Sequence, residues 1–117
     1  MLLVNQTDEE ILKIAEPIRQ DVIDGSNSKS WEQHSKHMPL KVIENDEIKK
    51  DVERQWREVD YLSALSSESE LVAIIRKKDS ITVCWKQTST LSSDEYLLKI
   101  RLVEIDGEVK QIMAHLD

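Results

Sequence analysis

Phenylalanine is missing from this chain of 117 residues, and one Cys, two Gly and two Pro are all it has of three other residue types. Each shortage excludes something. A lone cysteine, Cys84, rules out an internal disulfide and any multi-cysteine zinc site. It lies in the apolar run ITVCW, where a thiol packs as a small hydrophobe. A nucleophile would need a neighbouring base that the sequence does not display. So few Gly and Pro leave little room for long linkers. Gly-rich phosphate loops, the GxSxG elbow, HExxH and zinc knuckles do not occur. Positive charge is also short. Sixteen Lys and Arg are dispersed among 23 Asp and Glu, for a net charge of −7. The nearest approach to a basic cluster, Arg76-Lys77-Lys78, reads as a strand end and turn. Phosphate backbones and anionic membranes need concentrated positive surface, so neither nucleic acid nor membrane is expected as a partner. The opening MLLVNQTDEE has no basic leader and too short an apolar run for a signal peptide or a span. The expected location is the cytoplasm.

What is present is enough for one core. Apolar residues make up 39% and charged residues 33%. A chain of this size hides roughly two thirds of its unfolded surface. The core should be aliphatic, with three Trp and two Tyr as its aromatic content. A single domain over residues 1–117 is expected, without repeats or low-complexity tracts.

The first half reads as helices. Thr7-x-x-Glu10 is a capping box, and Ile11, Ile14, Ala15, Ile18 and Val22 follow at helical spacing. This predicts a helix over 8–24, stopped by Asp24-Gly25 and kinked or restarted at Pro17. A second helix is expected over 28–38, with Trp31, His34 or Ser35, and Met38 on one face. LKVIE, residues 40–44, reads as an edge strand or a plain connection. Asn45 or Asp46 then caps a third helix over 46–64, with Ile48, Val52, Trp56 and Val59 as its buried stripe and SSESE closing the segment. Glu53 and Arg57 are spaced for an exposed ion pair.

From there the period becomes two. Strands are expected over 70–77, 80–89, 95–105 and 108–116, rich in β-branched residues and bounded by turn chemistry. Asp106-Gly107 marks a two-residue hairpin turn. The fold class is therefore α+β, with N-terminal helices on a curved four-stranded antiparallel meander. If Ile105 opposes Glu108, strict alternation places Leu102 against Gln111, Ile100 against Met113 and Leu98 against His115. Tyr96, Leu98, Ile100, Leu102, Met113 and His115 then share the helix-facing side. Leu97, Lys99, Arg101, Val103, Lys110, Ile112, Ala114 and Leu116 share the outer one. That outer face is too aliphatic for one that meets only water. A homodimer through Leu97, Arg101, Val103, Ile112 and Ala114 is expected. In the competing reading, the long basic side chains cover these aliphatics in a monomer.

Helices followed by a curved meander resemble the cystatin-like fold. The stretches SITVCWKQT and DEYLLKIRLVEIDGEVKQI are similar to the last strands of small bacterial members of the nuclear transport factor 2-like superfamily, a cone closed by helices over a sheet. The resemblance implies a deep apolar pocket and dimerisation through the sheet. It also implies either a binding role or ketosteroid isomerase-like or cyclase-like chemistry, with an Asp or His in the pocket and a Tyr or acid opposite.

On this reading the pocket is lined by Trp31, Trp56, Tyr96, Leu98, Ile100, Met113 and His115. Tyr96 and His115 are the candidates for a donor and base, since a base must reach the proton it removes. His34 and His37 are three apart, but a metal needs a third ligand and an oriented second shell, so neither metal nor cofactor is expected. The expected function is non-catalytic: binding a small apolar ligand, or acting as a homodimeric interaction module. The alternative is a small isomerase, dehydratase or cyclase using pocket polar groups.

Overall fold

The computed structural model describes residues 2–117. A 3-10 turn at Leu3–Asn5 precedes four helices: α1 (Asp8–Ser28), α2 (Trp31–His34), α3 (Leu40–Ile43) and α4 (Asp46–Glu58). A second 3-10 turn, Asp60–Ser63, leads into β1 (Leu65–Arg76), β2 (Ile81–Ser89), β3 (Ser92–Ile105) and β4 (Glu108–Leu116). The strands form one open antiparallel sheet in the order β1-β2-β3-β4. Helices first and a four-stranded meander after them is the expected α+β arrangement.

The start of α1 follows from its capping box. The Thr7 hydroxyl accepts from Glu10 N–H, and the Glu10 carboxylate accepts from Thr7 N–H at 3.0 Å. The end differs from expectation. Gly25 lies inside the helix, which runs on to Ser28 and closes on Lys29 in the left-handed region at φ 55°. Gly25 serves a close approach instead of a stop. A Cβ there would lie 2.4 Å from His34 N and 2.6 Å from His34 Cα. Pro17 sits within the same helix and divides it into no separate segments.

Other boundaries moved for identifiable reasons. The second helix is only α2, capped by the Ser30 hydroxyl, with turns continuing to Met38. LKVI forms α3, neither strand nor plain connection. Val42 and Ile43 N–H both bond back to Pro39 O, so the segment satisfies its own backbone groups without a strand neighbour. Asn45 caps α4 by accepting from Glu47 and Ile48 N–H. That helix ends at Glu58, and SSESE belongs to β1. Core-facing polar groups hold this polar half-strand. Asn27 bonds both Leu65 N–H and Leu65 O, Gln87 Nε2 donates to Ser66 O, and Arg19 Nη2 donates to Ser67 O. On α4 the exposed ion pairs run from Arg54 to Asp51 and Glu58, not from Glu53 to Arg57.

The last hairpin turns at Asp106 (φ 52°) and Gly107 (φ 79°), the primed geometry its sequence predicts. Ile105 opposes Glu108 and Leu102 opposes Gln111, as expected. Then the register slips. Arg101 opposes Met113, Ile100 opposes Ala114, Lys99 opposes His115 and Leu98 opposes Leu116. Ile112 is the extra residue of a bulge, and every later side chain on β4 changes face. Ala114 and Leu116 therefore join the core, while Met113 and His115 turn outward.

The core lies between α1 and the inner face of the sheet. Ile11, Ala15, Ile18, Val22 and Ile23 pack on Ile81, Val83, Trp85, Leu98, Ile100 and Leu102, with Leu3 and Leu65 at the margins. A polar strut crosses it. Trp85 Nε1 donates to Glu16 at 3.1 Å, and Arg19 Nε donates to the same carboxylate at 3.0 Å while its guanidinium lies over the Trp85 ring.

Candidate functional site

A cleft of about 310 Å³ opens at one end of this core, between α1, α4, the Asp60–Ser63 turn and the sheet. Each wall has a local cause. The Val22, Ile23 and Ser26 positions of α1 line one side because the helix continues past Gly25. Val52, Trp56 and Val59 line the other, being the apolar stripe of α4. Leu65, Leu98, Ala114 and Leu116 form the floor from three strands. Ala114 and Leu116 reach it only through the Ile112 bulge.

Ser26, His34, Gln55, Trp56, Tyr61 and His115 supply the polar groups of this cleft. Trp56 Nε1 donates to the Ser26 hydroxyl at 3.0 Å, that hydroxyl donates to Leu62 O, and Gln55 Nε2 donates to Asp51. His34 has one nitrogen engaged and one unused. Its Nδ1 faces Val22 O at 3.2 Å. A carbonyl only accepts, so Nδ1 carries the proton and Nε2 keeps its lone pair. Among the described residues, nothing hydrogen-bonds that nitrogen. Burial pushes the His34 pKa below its ordinary value, and the bond to Val22 O opposes this only in part. The ring is held between two indoles. Trp56 meets it edge-on with centroids 5.3 Å apart, and Trp31 lies behind it at 6.2 Å. The arrangement offers a neutral hydrogen-bond acceptor in a recess whose lining mixes aliphatic, aromatic and polar side chains.

The residues expected to line a pocket are scattered. Trp56, Leu98 and His115 border the cleft. Tyr96 stacks on Tyr61 at 4.8 Å, one ring behind the wall, and its hydroxyl donates to Ser92 at 2.7 Å. Trp31 backs His34 and donates to Ile43 O. Ile100 is sealed in the core. Met113 is half-buried on the outer face, opposite Arg101. His115 is exposed and opposes Lys99 on that same face. Tyr96 alternates with Leu98 and faces inward, so it and His115 lie on opposite sides of the sheet. The structure does not bring this pair together.

The expected dimer residues do not share one surface either. Leu97, Arg101 and Val103 are half-buried on the outer face, Ile112 is exposed at the bulge, and Ala114 points into the core. His34 and His37 diverge. His37 Nε2 pairs with Asp21 at 2.7 Å, and its carbonyl accepts from Gln111 N–H at 2.7 Å, tying α1 to the edge of β4. Burial works against the Asp21 carboxylate, yet hydrogen bonds from His37 and Gln33 and the nearby Lys36 charge hold its pKa below the usual value. Among the described residues, no three His, Cys, Asp or Glu side chains are grouped to hold a metal ion. No helix among them is long and apolar enough to cross a membrane. Cys84 is buried, which raises its thiol pKa despite the nearby Lys99 charge.

The sequence places His34 on a helix face with Trp31 and Met38 and beside His37, not in a pocket, and it does not single out Ser26. The available signal was Gly25-Ser26 late in an apolar-periodic stretch. Small residues there permit a second backbone to cross closely, and that crossing carries His34. A scan against models of known protein families finds no match for this chain, and a search of curated proteins finds none either.

Proposed function

We propose that this protein is a non-catalytic binding domain for a small, mainly apolar molecule carrying one hydroxyl or N–H donor. The observation that carries the reading is the His34 imidazole. It is neutral, fixed by Val22 O and left with an unused acceptor in a recess of about 310 Å³ walled by Val22, Val52, Trp56 and Leu98. Ligand sites of this kind are concave and apolar, with a few placed polar groups, and start at about 300 Å³. The helix-then-meander order is also the one expected of the nuclear transport factor 2-like superfamily that the sequence resembles, in which a pocket between helices and sheet is a recurrent feature. An isomerase or cyclase role for Tyr96 and His115 draws no support from their positions on opposite faces.

Phenol and toluene test this directly, because they differ by one donor. Titration followed by amide and indole NMR signals should move Trp56 and His34. Phenol should bind about fivefold tighter than toluene, the worth of one neutral hydrogen bond. His34→Phe should erase that preference while toluene still binds. Val52→Trp should fill the recess and abolish both. If neither probe at millimolar concentration moves signals from α1, α4 or Leu98, the proposal fails.

A further inference from the structure

The two edges of the sheet are treated differently. On β4, Gln111 N–H is taken by His37 O, so the segment after α2 covers that edge. On β1, Glu68 N–H donates to the Ser66 hydroxyl of its own strand, and among the described residues no backbone group from Ser69 to Arg76 bonds to an element other than β2. This bare stretch is also apolar. Leu71, Val72 and Ile75 are 43%, 58% and 46% exposed. A long edge strand of this character is a template for another strand.

The charges flanking the run name the occupant. Before it come Glu68 and Glu70; after it come Arg76, Lys77 and Lys78. Acid, then apolar, then base is self-complementary when a strand is laid antiparallel on its own copy. We infer that the free edge of β1 pairs antiparallel with β1 of a second copy of this chain, about a two-fold axis between Val72 and Ala73. In this register Leu71 opposes Ile74 of the second copy, Glu70 opposes its Ile75 and Glu68 opposes its Lys77.

Side-chain direction selects that register. Leu71 pairs with Trp85 and Ile74 with Val83, both on the inner face, while Glu70 pairs with Lys86 and Ile75 with Thr82 on the outer. An antiparallel neighbour must match inner with inner and outer with outer, and this alignment does so. The β1 bulge, with Val72 as its extra residue between Leu71 and Ala73, is a device that edges commonly use to turn neighbours away. Here it falls at the axis, so it interrupts pairing only there and leaves residues 68–71 to meet 74–77. Glu68 and Lys77 have no ion pair within the protein among the described residues, so both are free for this contact. The outer face is the weaker candidate for self-association. Arg101 Nε donates to Thr82, and Lys86 bridges Glu70 and Glu95, so long charged side chains already lie across its aliphatics.

Sedimentation velocity over a concentration series tests the pairing. The wild-type chain should dimerise. Glu68→Lys or Lys77→Glu should each weaken the dimer about tenfold, because two symmetric pairs turn from attraction to repulsion. The double variant E68K/K77E should restore it. Val72→Lys, at a solvent-facing site, should give a monomer with an unchanged circular dichroism spectrum and a melting temperature that no longer rises with protein concentration. A wild-type monomer at high micromolar concentration overturns the inference. So does a Val72→Lys dimer, which would move the contact to another surface. A double variant no better than the singles would reject the antiparallel register.

Discussion

Gly25 and His34 show how one backbone crossing decides the behaviour of single residues. In an ordinary exposed helix, Gly→Ala stabilises by about 1 kcal/mol. At Gly25 the added methyl meets the His34 backbone at 2.4 Å, and backbone cannot rotate away as a side chain would. Gly25→Ala should therefore reverse the usual sign and cost about 3 kcal/mol, read from the urea midpoint at unchanged m. His34 has its own signature. Its folded pKa lies below 6.5, the value it regains on unfolding. The unfolded chain then binds more protons in the interval between the two values. Stability is fully present above 6.5 and falls as the pH drops through that interval, by up to about 1.4 kcal/mol per pH unit. His34→Gln should flatten that part of the stability curve relative to wild type. An identical slope in both proteins would show that His34 is not buried in its neutral form.

Elements carry the next set of consequences, and β4 is the most informative. Ile112 is the residue by which β4 exceeds β3, and it is exposed. Deleting it should leave Leu102–Gln111 and Arg101–Met113 as consecutive pairs and every later side chain on its present face. Thermal melts should place that deletion within about 1 kcal/mol of wild type, as for a surface change. Deleting Ala114 instead would bring His115 opposite Ile100 in the core, and the protein should lose most of its stability. This bulge also marks where the sequence stops being legible. The capping box at Thr7, the Asn45 cap, the Asp106-Gly107 turn and the meander are local chemistry, and each is readable from a few neighbouring residues. A bulge is a non-local choice. Strict alternation through QIMAH is equally good chemistry, and only the packing of Ala114 and Leu116 under α1 and α4 selects the slipped register. The same holds for SSESE, whose strand depends on Asn27, Arg19 and Gln87 reaching it from elsewhere. Periodicity places Trp56 and Leu98 on buried faces, and only the resemblance makes them pocket residues. His34 was not recognisable as one, because its role depends on the Val22 carbonyl it meets across two helices.

The whole molecule is a slab. Its extents are 39 × 31 × 18 Å, and the thin direction holds one helical layer on one sheet, which stack about 10 Å apart. One sheet face is covered by α1, and Lys86, Lys99, Arg101 and Lys110 spread across the other. Joining two such slabs along β1 would lengthen the particle without thickening it. Stacking them through the outer face would double the thin direction. Small-angle scattering of the dimer should therefore give an elongated distance distribution, with a cross-section like that of the monomer; a globular one would favour face-to-face association. The cleft has walls of unequal stiffness. On one side α1 and α2 touch backbone to backbone at Gly25 and must travel as one body. On the other, α4 buries Trp56 fully and Val52 only in part, so this is the more lightly packed wall. For the ligand proposed above, entry and exit would then depend on how readily α4 swings aside. Substitutions along its solvent-facing side should alter association and dissociation rates together and leave the equilibrium constant nearly where it was.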